Sequence, residues 1–231
     1  MPLILGTNSI KDTGFNVDNS CVFDGSTSYM HKTPSSAGSL RKATISVWVK
    51  PCTPTGKDWQ QLFRQADTDA NPAFGFGFQG DKFTVQSSAS GVDLKLQSTA
   101  LLRDTNAWYH LVVGIDTTDG TEGDRVKMYI NGTRITDFAT ETYPDQNYDF
   151  VSLNGTSHAI EIGRDSYGGG ESYFNGYMSE LVFIDGTTYA ASDFGEFDDD
   201  SPRIWKPKDP SGLTFGTNGF YLDFKASGNL G

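Results

Sequence analysis

The residues in this chain best suited to chemistry are a set that could hold a sugar. The stretch Arg164-Asp-Ser-Tyr-Gly-Gly-Gly-Glu-Ser-Tyr173 joins a glycine run to Arg164, Asp165, Tyr167 and Tyr173. Aromatic rings stack on the apolar C–H faces of a pyranose, and planar polar groups bridge neighbouring hydroxyls. Trp59 is expected to add a further ring, as is the segment Tyr143 to Tyr148. A surface loop with ordinary tyrosines would carry the same residues, so the pattern nominates a site without defining it.

Catalysis requires convergent acids, bases or nucleophiles, and these are sparse. The three histidines are His31, His110 and His158. His110 lies mid-strand beside Trp108 and reads as a satisfied core histidine, whereas His158 precedes a strand and reads as solvent-facing. No Gly-x-Ser-x-Gly elbow, His-Glu-x-x-His or Cys-x-x-Cys occurs. Retaining glycosidases on lectin-like sandwiches set two acids on alternate residues of one strand. Glu161 and Asp165 have the wrong spacing for this. Glu196-Phe-Asp198 alternates correctly, but in a stretch that reads as loop. No enzymatic activity is expected.

Asp116, Asp119 and Asp124 surround one turn, and Asp24, Asp165 and Asp185 lie at strand ends. Such loops supply oxygen ligands to hard cations. Their spacing is not that of an EF-hand, and Asp is favoured in turns for the backbone bonds it makes there. No cofactor is assigned, and calcium is the metal these loops would suit.

With 29 acidic and 18 basic residues, the net charge is −11. That balance argues against binding a nucleic-acid backbone or an anionic membrane, both of which need a basic surface. The opening Met-Pro-Leu-Ile-Leu-Gly has no basic start and too short an apolar run for a secretory signal. The expected settings are a cell interior or a particle released by lysis. Cys21 and Cys52 share no spacing motif and read as free thiols. Asn131-Gly-Thr133 and Asn154-Gly-Thr156 match the glycosylation sequon but read as turn chemistry.

The elements that must position these residues are strands. From Trp108 to Thr133 the chain reads as two strands and two turns. Tyr109, Leu111, Val113 and Ile115 share one face, and His110, Val112 and Gly114 share the other. Asn131-Gly132 supplies the positive φ angles of a two-residue hairpin, folding Tyr129 to Ile135 back on itself. Further strands are expected at Phe15–Phe23, Ala43–Lys50, Asp58–Gln65, Ala73–Gln79 and Lys82–Ser87. Others follow at Val92–Gln97, Ala159–Gly163, Tyr173–Ile184 and Phe215–Phe224. Ala190–Glu196, with Ser192 as cap, is the one helical turn.

The spacing defines an all-β class, an antiparallel β-sandwich of jelly-roll type over residues 1–231, with a C-terminal strand within 213–224 returning to the sheet. Phe23, Val47, Trp48, Val49, Leu111, Val113, Met128, Ile130, Ile160, Ile162, Leu181, Phe183 and Leu222 are expected in its core.

Several of these segments resemble the laminin-G-like members of the concanavalin A-like lectin/glucanase superfamily. They are Val22-Phe-Asp-Gly-Ser26, Ala43-Thr-Ile-Ser-Val-Trp-Val-Lys-Pro51, Ala107-Trp-Tyr-His-Leu-Val-Val113, Met128-Tyr-Ile-Asn-Gly-Thr133, Ile160-Glu-Ile-Gly163 and Phe174-Asn-Gly-Tyr-Met-Ser-Glu-Leu-Val-Phe183. Trp205-Lys-Pro-Lys208, Gly216-Thr-Asn-Gly-Phe-Tyr-Leu-Asp-Phe224 and Asn229-Leu-Gly231 are similar to bacteriophage structural proteins that carry this domain, especially those of marine phages. The resemblance implies a virion-exterior protein, a capsid decoration or tail fibre, contacting other virion proteins and host or environmental glycans. It implies calcium in some members, with no ligand set carried onto this chain. A homotrimer fits the symmetry of virion proteins, although no residue here specifies it. A polysaccharide depolymerase and a bacterial surface adhesion domain are the alternatives, because the fold alone does not choose among them.

Overall fold

The computed structural model describes residues 15–53, 59–66, 73–89, 91–157, 159–166 and 172–226. Strands β1 (Cys21–Asp24) and β2 (Met30–Lys32) are short, and β3 (Lys42–Pro51) is the first long one. A meander follows of β4 (Gln60–Ala66), β5 (Ala73–Gln79), β6 (Lys82–Ser88) and β7 (Leu94–Leu101). The expected central hairpin is β8 (Tyr109–Asp116) and β9 (Val126–Ile130), continued by β10 (Thr133–Arg134) and β11 (Phe138–Thr142). The chain then forms β12 (Ile160–Ile162), β13 (Asn175–Asp185), β14 (Gly195–Phe197), β15 (Trp205–Pro207) and β16 (Phe220–Leu222).

Among the described residues these strands build two seven-stranded antiparallel sheets. The first runs β1-β13-β3-β8-β9-β10, with β16 also on β13, and the second runs β11-β7-β6-β5-β4-β12-β2. They face each other across one apolar interior, a β-sandwich of the class read from the sequence. Ile45, Val47, Val49, Leu111, Val113, Met128 and Phe183 fill it from the first sheet, and Phe63, Phe74, Phe76, Phe83 and Leu96 from the second. The rings of Phe63 and Phe183 meet across the gap with centroids 5.1 Å apart. Residues alternate between faces of a strand, so β8 buries Leu111, Val113 and Ile115 here and turns His110, Val112 and Gly114 outward.

The same alternation corrects one core assignment. Val47 and Val49 point inward, so Trp48 between them points to the outer face, where it is half-buried against His110. Ile130 and Leu222 lie at the margin of the core, packed against it without being fully enclosed. The other expected core positions are buried.

The outer face of the first sheet is largely covered. Ala191, Phe194, Tyr189, Trp205, Leu213 and Phe215 pack on Val112, Val182 and Ile184 to make a second, smaller apolar cluster. This explains why β3 and β13 are buried on both faces over much of their length. The helical turn appears as a 3-10 turn at Ala191–Asp193, and it is Asp193, not Ser192, that caps it, accepting from the Ala190 N–H at 2.8 Å. Glu196 belongs to β14, so this stretch is a two-stranded ribbon with β15 and not the loop expected. β16 pairs Phe220, Tyr221 and Leu222 with Phe183, Val182 and Leu181, the anticipated return of the C-terminal strand. Of Phe15–Phe23, only Cys21 onward is strand, and the strand expected at Val92–Gln97 begins at Leu94 and runs on to Leu101. Both cysteines are free.

Candidate functional site

A polar band crosses the outer face of the second sheet. Pairing sets Glu161 between His31 and Arg64, Arg64 opposite Gly75, Gly75 opposite Gln86, and Gln86 opposite Lys95. Their neighbours Ile160, Ile162, Phe74 and Phe76 point into the core, so this row faces out. A bulge at Gln61–Phe63 in β4 lays the Gln61 amide over Gly75. A Cβ on Gly75 would sit 3.0 Å from Gln61 Nε2, and one on Gly77 only 2.3 Å from the Gln60 carbonyl oxygen. The two glycines are what let β4 bulge against β5.

At the end of β12 the band becomes an ion-pair network. Arg164 Nη2 donates to Glu161 Oε1 at 2.5 Å, and the Ser166 N–H donates to Glu161 Oε2 at 3.0 Å. The Arg164 guanidinium also lies over the Tyr29 ring, 3.5 Å from its centroid, and Tyr29 stacks in turn on His31. Asp165 pairs with Arg64 Nε at 2.9 Å. Burial opposes the charge on Arg164, but its bonds to Glu161 and Tyr173 outweigh this and raise its pKa.

The structure brings together most of the residues nominated from the sequence. Arg164 and Tyr173 are bonded, and Asp165 lies at the same corner. Trp59 directly precedes Gln60 and Gln61, which tie that end of β4 to the 172–175 segment: the Gln61 N–H donates to the Ser172 carbonyl at 3.2 Å, and Gln60 Oε1 accepts from the Asn175 N–H at 3.2 Å. Tyr167 and His158 lie outside the described residues. Tyr173 is only 8% exposed and serves as a buried support, not a stacking platform. Among the described residues, the ring left open at this rim is Tyr29, 40% exposed, which sequence reasoning passed over. Gln61, Arg64 and Tyr29 come from strands or turns some 100 to 140 positions away, and their only signal is the register of β2, β4 and β12.

Two polar atoms at the rim are buried and unpartnered, Gln61 Oε1 and Arg164 Nε. Gln61 is 4% exposed, so its oxygen is an acceptor removed from water without a donor, and Arg164 Nε is a donor without an acceptor.

Other nominated residues lie elsewhere. Tyr143 to Tyr148 adjoins Thr117, whose N–H donates to Arg41 at the start of β3. The rim adjoins Cys52, just past the end of β3, so the two lie at opposite ends of the sandwich. The aspartates of the loops are turned to N–H groups and cations of the chain. Asp24 accepts from Ser26, Thr27 and Ser28, Asp116 from Lys42 and Thr118, and Asp124 pairs with Arg134. Among the described residues no three His, Cys, Asp or Glu side chains converge as a metal cage. Glu196 and Asp198 both pair with Lys206. His110 is fully buried and bonded through both ring nitrogens, a core histidine as read.

Two facing antiparallel sheets with a polar outer face define a lectin-like sandwich. A family model described as the concanavalin A-like lectin/glucanases superfamily matches residues 24–191. The chain belongs to that superfamily. No curated protein sequence matches it. Among solved structures it is similar to a candidate carbohydrate-binding protein of Bacteroides ovatus, with a TM-score of 0.57 at 18% identity, covering 90% of this chain and 53% of that one. Domains LG4-5 of the mouse laminin alpha1 chain give 0.52 at 12% identity, covering 81% and 48%. The LG1-3 region of the laminin alpha2 chain gives 0.53 at 12%, covering 82% and 34%. The chain therefore spans about half or less of these structures, and the likeness is one of fold.

Proposed function

We propose that this chain is a non-enzymatic virion protein, a capsid decoration or tail fibre, that adheres through a lectin-like surface to host or environmental glycans. Superfamily membership supports the lectin-like surface. The similarity of the stretch from Trp205 to Gly231 to phage structural proteins supports the setting. The observation that carries glycan binding is the rim itself. The Arg164 guanidinium lies over the Tyr29 ring, which is 40% exposed, and Glu161 and Asp165 stand at the same corner as planar polar groups. The C–H face of a sugar would lie on the exposed ring, and its hydroxyls would meet the charged groups around it. A depolymerase would need two free carboxylates facing each other across a groove. Glu161 and Asp165 each already hold a guanidinium, which weighs against that reading.

The test is a glycan array of cell-surface and polysaccharide fragments, with Tyr29→Ala and Arg164→Ala beside the unaltered chain. Binding weakened about tenfold or more by each variant is expected, the scale of one lost charged hydrogen bond or ring contact. Tyr29 is exposed, so its truncation leaves the fold intact and separates recognition from stability. Gold-labelled antibody on purified phage particles is expected to mark their exterior. An array blank for every fragment overturns adhesion, and unlabelled particles overturn the virion setting.

A further inference from the structure

On the other sheet, at the same end of the sandwich, lies a groove of about 310 Å³ that the rim does not use. Its size falls in the range of small-ligand sites. Its lining combines apolar Val17, Trp48, Trp108 and Pro207 with polar residues that include Asp18 and Ser20. Trp108 directly precedes β8, and it is 37% exposed. Single exposed apolar side chains are ordinary. Here two indoles and a proline line one groove together with hydroxyl and carboxylate groups.

The groove is held on every side. Trp48 lies opposite His110 in the β3–β8 register, and the two rings stack with centroids 4.8 Å apart. His110 is fixed by Ser46 Oγ at 2.8 Å and by the Trp205 indole at 2.9 Å. Trp205 begins β15, and Pro207, its last residue, lines the groove. Ser179, paired with Trp48 across β13 and β3, ties the neighbouring segment to the sheet by donating from Oγ to the Asn19 carbonyl at 2.6 Å. Such a site needs little ordering to bind, which favours affinity.

We infer that this groove is a second carbohydrate site, one that takes a neutral pyranose stacked on Trp108. A pyranose offers what such a lining can hold, with C–H faces to lie on the indole of Trp108 and equatorial hydroxyls to meet exposed Asp18 and Ser20. Asp18 is the one charged residue lining it among those described, and the chain carries a net −11, so sialic and uronic acids are repelled. The inference extends the adhesive reading, and its readout is local to the groove, so either can fail alone.

The experiment is 19F NMR of the protein labelled with 5-fluorotryptophan, with the Trp108 resonance assigned by Trp108→Phe. Neutral gluco- and galacto-oligosaccharides are titrated against sialyl and uronic ones. The expected result is a saturable shift of the Trp108 signal with neutral sugars only, weakened about tenfold or more in calorimetry by Trp108→Ala. Tyr29→Ala reports the rim in the array and has no bearing on this signal. A Trp108 resonance unmoved by every neutral sugar overturns the inference, as does a shift produced only by raising the protein's own concentration, which would make the groove a contact between copies.

Discussion

His110 concentrates the chemistry of the interior into one side chain. Trp205 can only donate, so His110 Nδ1 accepts from it, and Nε2 carries the proton that goes to Ser46. The ring is therefore neutral, and burial pushes its pKa down from 6.5 to about 3. The unfolded imidazole takes up a proton below 6.5, while the buried one resists until about 3. In that window the unfolded chain binds more protons, so stability falls as the pH falls. The lowered carboxylates, such as Asp116 and Asp124, begin to lose their contribution only nearer 3.8, so the two effects separate. Urea midpoints measured from pH 7 to pH 4.5 are expected to decline more for the unaltered chain than for His110→Asn; an unchanged slope in the variant would refute the assignment. The role of His110 was legible in sequence because of its mid-strand place. Trp48 was misplaced because its size suggested burial, although Val47 and Val49 on either side leave it only the outer face. At the rim, the closeness of Arg164, Asp165 and Tyr173 was legible from one local stretch, whereas the burial of Tyr173 was not. Gln61, Arg64 and Tyr29 were not, because what unites them is pairing between strands distant in sequence.

Among elements, the hairpin at Asn131-Gly132 was the plainest signal and matters beyond the turn. Both residues have positive φ, 47° and 77°, as a two-residue loop requires. A Cβ on Gly132 would also lie 2.4 Å from the Trp205 ring. The turn thus makes room for the ribbon that covers the first sheet. Gly132→Ala is expected to lose about 1–3 kcal/mol through backbone strain, with added loss from displacing Trp205. Thermal denaturation measures the loss, and Trp205 fluorescence should report its exposure; a variant as stable as the parent would remove this link. Long strands such as β3, β8 and β13 announce themselves by alternation. β2, β11, β14 and β15 do not, since each is five residues or shorter and is defined by a partner. Met30-His-Lys32 has no pattern of its own and becomes a strand only because β12 offers it an edge.

For the whole molecule, the decisive contact is between the sheets. Phe183 on β13 meets Phe63 on β4 and Phe220 on β16, so it joins both layers and the returning strand. Phe183→Ala is expected to cost about 3–5 kcal/mol by cavity formation and lost burial. Chemical denaturation followed by near-UV and far-UV dichroism should show one shared, lowered midpoint; loss confined to one sheet would mean that the layers are less coupled than the packing implies. β13 has a further consequence for how the molecule comes into being. It lies between β1 and β3, strands made some 150 positions earlier, whereas β4, β5 and β6 pair with their immediate successors. During synthesis the meander can therefore close as it leaves the ribosome, while β1 and β3 wait with an unsatisfied edge until residue 185 has emerged. That delay makes folding slow and leaves the nascent chain, more than the finished protein, exposed to aggregation.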